Sequence, residues 1–528
     1  MSKPYNMLLI FLLCLVTLAV LGQKKHPLPG DTPAVAPRTT GDRIIVTQEP
    51  VVETLDPAMA ADTGSARVIA NIFEGLVRFK PGSVTVEPCL AESWSVSEDG
   101  LVWTFNLRRN VSFHDGTPFD STAVKFSVER QLTQSHGKKT SYADFVYTPL
   151  AKVETAGRHT VKFHLKYPYA PFLHNLAMPM AAPVVSPTAV RKYGRDFGDH
   201  PVGTGPFAWV GVKEGGIMLR AHEDYWGHPP TAKEILFLTI PDSEQRVQML
   251  LDGKSDIALD LAFNSTARLR IKGYPVFRAT GLDISYLGFY TDRKPFDRPA
   301  VRRAVALALN KEAVFNRLWP QEIRPALGPL PPPVPGYNAG LTQAGYAPRE
   351  AARLLQAAGY EKGFSFTLIT YAGARPYSPG GGKALAEALA RSLAEQGINM
   401  QVRSYPWDKF KKALAERQGD AFLYGWISDN GDPDDFLYTL LATSQIKNGL
   451  NITRYQNAEL DTLLAAGRNT TDPRTRREIY SRAQEIINRD VPWIVLNHSL
   501  HYAATTPRVR GFLLNPDNRP FLHMVTKN

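Results

Sequence analysis

The chain has 528 residues, 44% apolar and 21% charged, which is too long for one hydrophobic core and rules out disordered or collagenous classes. Its net charge of +11 comes from 61 Lys and Arg interleaved with 50 acids. With no basic run beyond Lys24-Lys25, no zinc-finger spacing and no aromatic-basic RNA motif, nucleic acid is excluded as the expected partner.

The apolar run 7–22, behind a short polar start, predicts a secretory signal peptide over 1–22 with a cleavage pattern ending Val20-Leu21-Gly22. Its alternative is an uncleaved membrane tether. Leu13 stands where lipoprotein processing at Cys14 would want a small residue. Residues 23–42, rich in Pro, Thr and Gly, read as a flexible linker. Without the leader, Cys89 is the sole cysteine, so no internal disulfide is expected and a core thiol is.

Residues 43–48 (RIIVTQ) predict a first strand and 66–79 a helix, from apolar residues at helical spacing. The segment 90–132 reads as strand, Asp-Gly hairpin, strand and a helix opening near Ser121. A second hairpin is expected over 153–165, and strand alternation resumes over 202–227. An amphipathic helix from Asp242, closed by Gly253, feeds a short strand. The second half changes rhythm: helix 299–318, a proline-dense connector 325–337 and helix 347–360. Strands 364–371, 398–405 and 420–427 then alternate with helices 383–397, 408–419 and 434–443. That alternation predicts an open, mostly parallel α/β sheet.

The stretch WISDNGDPDDF (426–436) carries four aspartates. It fails the spacing of an EF-type calcium loop in the registers that begin at Asp429 and at Asp432. Asp432 fits a helix N-cap and Pro433 the first helical position, with Asp434 and Asp435 in the first turn facing the positive helix end. Asp429 has no such place. It is either an Asx-type turn residue before Asn430-Gly431 or a ligand anchor, since it lies just past the carboxyl end of a strand, where open α/β sheets bind ligands. Arg375 lies beyond another strand end, held extended by Pro376. Gly380 to Gly382 and Lys383 resemble a phosphate loop but lack its spacing. A guanidinium binds a carboxylate and an aspartate binds an ammonium, so Arg375 with Asp429 would suit a zwitterion with separated ends; equally, they could pair with each other. Trp407 and Trp426 could wall the same crevice or pack in the core. No G-x-S-x-G elbow, H-E-x-x-H or dinucleotide fingerprint occurs, and the close pair His498 and His501 reads as sheet-edge or surface histidines.

The segment 90–130 resembles the signature region of the family 5 bacterial extracellular solute-binding proteins, the peptide- and nickel-type receptors of ATP-binding-cassette importers. The likeness continues through VGTGPF (202–207), EDYWG (223–227), 294–314, 351–364 and 476–494. It implies a type II, cluster C, two-lobe periplasmic-binding-protein-like α/β fold, closing over its ligand, with an extra domain inserted in lobe I. Lobe I would comprise 43–75, 197–282 and 496–528, the inserted domain 76–196 and lobe II 283–495. Within the family, ARPYSP and GWISDNGDPDDF look most like the dipeptide-binding type. By that resemblance Arg375 would hold a peptide's C-terminal carboxylate and Asp429 its N-terminal ammonium. Trp407 and Trp426 would line side-chain pockets, Gly425 would offer backbone contact, and Thr63, Gly64 and Ser65 would contribute from the opposite lobe. Ser428 replaces a glycine common in that type, which bears on pocket size. The implied protein is a monomeric, non-enzymatic periplasmic receptor, without cofactor, metal or catalytic residues. It would deliver dipeptides from an interlobe cleft to an inner-membrane permease with its ATPase subunits. The rivals are a receptor for a nickel complex, heme or glutathione, and an exported peptide hydrolase.

Overall fold

The alternating strands and helices of the second half build one five-stranded sheet. Its order is Ile398–Tyr405, Phe364–Tyr371, Ala421–Ile427, Asp283–Phe289 and Trp493–Asn497. In this computed structural model, which describes residues 43–135, 142–320, 323, 325–341 and 345–528, the first three of those strands are parallel. Asp283–Phe289 runs antiparallel to both its neighbours, so Trp493–Asn497 shares the direction of the first three. The sheet is therefore mixed, with one reversed strand inside an otherwise co-directional set. The carboxyl ends of the four co-directional strands fall on one edge, the position that exposes loop residues to a ligand. Helices Gly382–Ala394, Trp407–Ala415 and Pro433–Leu441 each begin just beyond such an edge. Leu368, Leu389 and Leu423 are buried between sheet and helices, which is what the apolar periodicity of each element demands.

The described chain divides into two compact units. One comprises Pro168–Pro171 and Thr280–Leu500 and contains the five-stranded sheet. The other comprises residues 43–167, Phe172–Ala279 and His501–Asn528. It holds a seven-stranded mixed sheet with Arg43–Gln48 at its centre, flanked by Ile257–Ala258 and Glu234–Thr239 in parallel. It also holds a separate antiparallel sheet of four strands, Ala91–Val96, Val102–Leu107, Thr160–Leu165 and Leu150–Thr155. The leader 1–22, with Cys14, and the linker 23–42 lie outside the described residues. Among the described residues no helix is long and apolar enough to cross a membrane.

Three expectations change. The helix read over 66–79 is Thr63–Ile72, and Val77–Phe79 is a short strand paired with Val86–Pro88. The chain leaves the helix at Phe73, whose backbone is extended while its N–H still bonds the Ile69 carbonyl, although the apolar spacing runs on. The helix over 299–318 breaks into Pro299–Ala308 and Lys311–Leu318, because Asn310 caps the second by accepting from the Ala313 N–H at 3.0 Å. Of the pair read as sheet-edge or surface histidines, His498 does follow the edge strand Trp493–Asn497, but His501 lies on Leu500–Thr505 inside the seven-stranded sheet; both are half-buried, and burial pushes both down to about 4. Cys89 is fully buried, as a core thiol should be, and burial pushes its pKa up.

Candidate functional site

The aspartate-rich stretch follows the Ala421–Ile427 strand. Asp432 caps helix Pro433–Leu441, accepting from the Asp434 N–H at 2.9 Å, with Pro433 in the first turn. It does a second job that its sequence neighbours do not reveal. Fully buried, it takes both terminal nitrogens of Arg476 at 2.7 Å, a two-pronged ion pair between residues 44 apart. Asp434 and Asp435 occupy the first turn as expected, but both are buried as well. Burial pushes Asp434 up to about 7 despite Arg468 at 3.1 Å. Burial also pushes Asp435 up to about 7; hydrogen bonds from Ser428 and Trp426 pull the other way, and the Asp429 charge adds to the rise. The loop's turn bonds come from Ser428, whose hydroxyl accepts from the Gly431 N–H at 3.0 Å, and from Asn430, whose side chain accepts from the Asp432 N–H at 2.9 Å. Gly431 takes the left-handed conformation, φ +62°. Asp429 sits half-buried on this loop, just past the strand end.

Arg375 lies beyond the neighbouring strand, Phe364–Tyr371. A tight turn positions it: its N–H donates to the Ser378 carbonyl at 3.0 Å, and the Ser378 N–H returns a bond at 2.8 Å. Its guanidinium carbon stands 3.5 Å from the centroid of Trp407, which opens helix Trp407–Ala415 beyond the third parallel strand. This is a close cation–π stack, and it fixes the guanidinium plane. Trp407 is itself braced by a stack on Tyr424 at 6.1 Å and an edge contact with Tyr371 at 5.9 Å. Among the described residues Arg375 makes no ion pair, and its Nε is buried without an acceptor. A fixed Arg375–Asp429 pair is therefore not what holds either residue. The surroundings of Arg375 are aromatic. Burial pushes Tyr424 up to about 12, partly offset by the Arg375 charge, and raises Tyr371 and Tyr377 too.

Gly425, on the Ala421–Ile427 strand, has a packing reason to lack a side chain: its Cβ would stand 2.4 Å from the ring of Tyr377. The Tyr377 carbonyl in turn accepts from the Asn497 side chain at 3.2 Å, tying the Arg375 turn to the last strand of the sheet. Glycines 380 to 382 are likewise spent on packing, Gly380 against Trp319 and Gly382 against the Tyr371 carbonyl. One sheet edge thus brings together Arg375, Trp407, Gly425, Trp426 and Asp429. Thr63, Gly64 and Ser65 belong to the other unit, in the first turn of helix Thr63–Ile72, capped by Asp62. Gly64 is needed there because a Cβ would meet the Val51 carbonyl at 2.2 Å. The Ser65 hydroxyl already accepts from the Glu53 and Thr54 N–H groups at 3.0 and 3.1 Å, and only Thr63 of the three is exposed. The sequence reading missed Tyr371, Tyr377 and Tyr424. Alternation over Phe422, Tyr424 and Trp426 was the available signal for the last of them.

Residues 85–448 match the model of the bacterial extracellular solute-binding proteins, family 5. The chain is 32% identical over 495 residues to di/tripeptide-binding protein 2 of Pseudomonas aeruginosa, covering 90% of this chain and 92% of that one. It is 34% identical over 469 residues to heme-binding protein A of Haemophilus influenzae, covering 84% and 85%. Among solved structures, HbpA2 from Haemophilus parasuis superposes with a TM-score of 0.88 at 29% identity, over 92% of this chain and all of that one.

Proposed function

The chain belongs to the bacterial extracellular solute-binding proteins of family 5, and we propose that it is a receptor holding short peptides, dipeptides foremost, by their two charged ends. Arg375 binds the carboxylate and Asp429 the ammonium; Trp407, Trp426 and the Gly425 backbone border the ligand. The observation that carries this reading is the state of Arg375. Its guanidinium carbon stands 3.5 Å from the Trp407 centroid, with no carboxylate partner among the described residues and a buried Nε lacking an acceptor. A buried donor without an acceptor costs stability, and an arriving carboxylate removes that cost. Asp429, one strand away, offers the opposite charge at the distance scale of neighbouring strands, roughly 5 Å plus loop reach. Two fixed opposite charges on a shared edge read the ends of a zwitterion and leave its side chains unspecified, which suits a receptor for many dipeptides.

The protein acts in the periplasm as a monomer, without catalysis, and passes its ligand to an inner-membrane permease with its ATPase subunits. On this reading 76–196, which contains the four-stranded sheet, is a domain inserted into a first lobe of 43–75, 197–282 and 496–528, and 283–495 is the second lobe. The heme-binding relative favours a second reading, a heme receptor. Thermal-shift measurements decide between them. Free dipeptides should raise the melting temperature, while N-acetylated and C-amidated versions should not. Arg375→Ala and Asp429→Ala should each remove most of that rise. Equal stabilisation by blocked peptides overturns the charge anchors; stabilisation by heme alone moves the protein to the second reading. Release of free amino acids from the peptides would show a hydrolase.

A further inference from the structure

The unit formed by residues 43–167, Phe172–Ala279 and His501–Asn528 contains a pocket of about 380 Å³ that none of the peptide-site residues line. We propose that this pocket, built by Arg78, Arg108, Trp226, His228 and His523, binds a small tetrahedral oxyanion, a phosphate or sulfate group. Its lining holds two arginines and two histidines and no carboxylate.

Both guanidinia are pinned in the same manner, by Nε and by an aromatic face. Arg108 donates from Nε to the Cys89 carbonyl at 2.6 Å and stacks 4.4 Å from the Trp226 centroid. Arg78 donates from Nε to Glu87 at 2.9 Å and lies 5.1 Å from the Phe521 centroid. Among the described residues neither forms a hydrogen bond through its terminal nitrogens: Arg78 meets its ion-pair partner Glu87 through Nε alone, and Arg108 has only a long ion pair, 4.0 Å from Nη1, with exposed Glu92. An oxyanion is the partner that matches two such forks.

The wall behind them is rigid before any ligand arrives. The buried Glu74 carboxylate accepts from Trp226 Nε1 at 2.8 Å, from the Tyr225 hydroxyl at 2.7 Å and from Thr204 at 2.9 Å. That fixes the indole on which Arg108 stacks. His523 completes the enclosure, its ring 4.3 Å from Phe521 and its Nδ1 buried without a hydrogen-bond partner. Burial, followed by the charges of Arg78 and His228, pushes His523 down to about 4, as expected in a field that disfavours a further cation and favours an anion. Two guanidinium forks and two imidazoles in one lining offer several N–H donors to the oxygens of a small oxyanion.

The test is calorimetry of the full chain with inorganic phosphate and with sulfate at constant ionic strength, alongside NMR titration of the histidine rings. Saturable binding should appear, with His523 titrating at higher pH when phosphate is present. Arg108→Gln should weaken binding at least tenfold. His228→Gln, at an exposed position that the fold does not depend on, should weaken it less but measurably. Comparing glycerol 3-phosphate with inorganic phosphate separates a phosphoryl-bearing molecule from a free anion, by which binds more tightly. An unchanged His523 titration in phosphate, or equal binding by wild type and both variants, overturns the site.

Discussion

Arg375 rests on the face of Trp407, and this makes its identity more demanding than its charge. A lysine keeps the charge but loses both the planar fork and the stack. Arg375→Lys should therefore cost about tenfold or more in dipeptide affinity by calorimetry, with an unchanged melting temperature. Affinity within twofold of wild type would mean that a point charge suffices. At this scale, Arg375, Trp407 and Asp429 were legible because each stands just past a predicted strand end, where topology alone gives a reason to look. Tyr371, Tyr377 and Tyr424 were not, since an aromatic residue in or near a strand has core packing as its ordinary explanation. The partnership of Asp432 with Arg476 was hidden for another reason: it joins residues 44 apart, and a helix-cap role already accounted for the aspartate.

The helix Pro433–Leu441 and the strand before it act as one unit behind Asp429. Its start was legible from the cap, the proline and the acids, but the burial of those acids was not, because the packing around them comes from Arg468, Arg476 and Tyr169. Asp435 has a consequence that can be measured. Its folded pKa, up to about 7, lies above the ordinary carboxylate value of about 3.9, so the folded state keeps a proton that the unfolded chain loses between those values. Its contribution to stability is complete below about pH 4 and is lost as pH rises through 7. Asparagine does not titrate, so the stability of Asp435→Asn relative to wild type should rise between pH 5 and pH 8 in urea unfolding. A pH-independent difference would show an ordinary carboxylate. The strand makes a separate prediction: Gly425→Ala drives a methyl into the Tyr377 ring and should cost about 1–3 kcal/mol in the same assay, a cost that should largely vanish when the change is made in a Tyr377→Ala background and compared with Tyr377→Ala alone.

At the scale of the molecule, local pattern put the change of rhythm at helix 299–318, whereas the unit containing the five-stranded sheet begins at Thr280, with the strand Asp283–Phe289 that the pattern did not pick out. What local pattern could not supply was long-range assembly. The reversed strand Asp283–Phe289 pairs on both sides with strands more than a hundred residues later, and Pro168–Pro171 leaves its sequence neighbours to join the same unit. The Ala170 N–H bonds there to the Arg468 carbonyl at 2.6 Å. Family membership accounts for a scaffold shared by receptors of different ligands, so the ligand must be argued from the anchors. The direct test of those anchors is calorimetry of wild type and Asp429→Asn with one dipeptide in free and N-acetylated form. Acetylation should cost wild type about 30-fold, the worth of one charge-assisted contact, and cost Asp429→Asn almost nothing. An equal penalty in both proteins would contradict the assignment of Asp429 as the ammonium anchor.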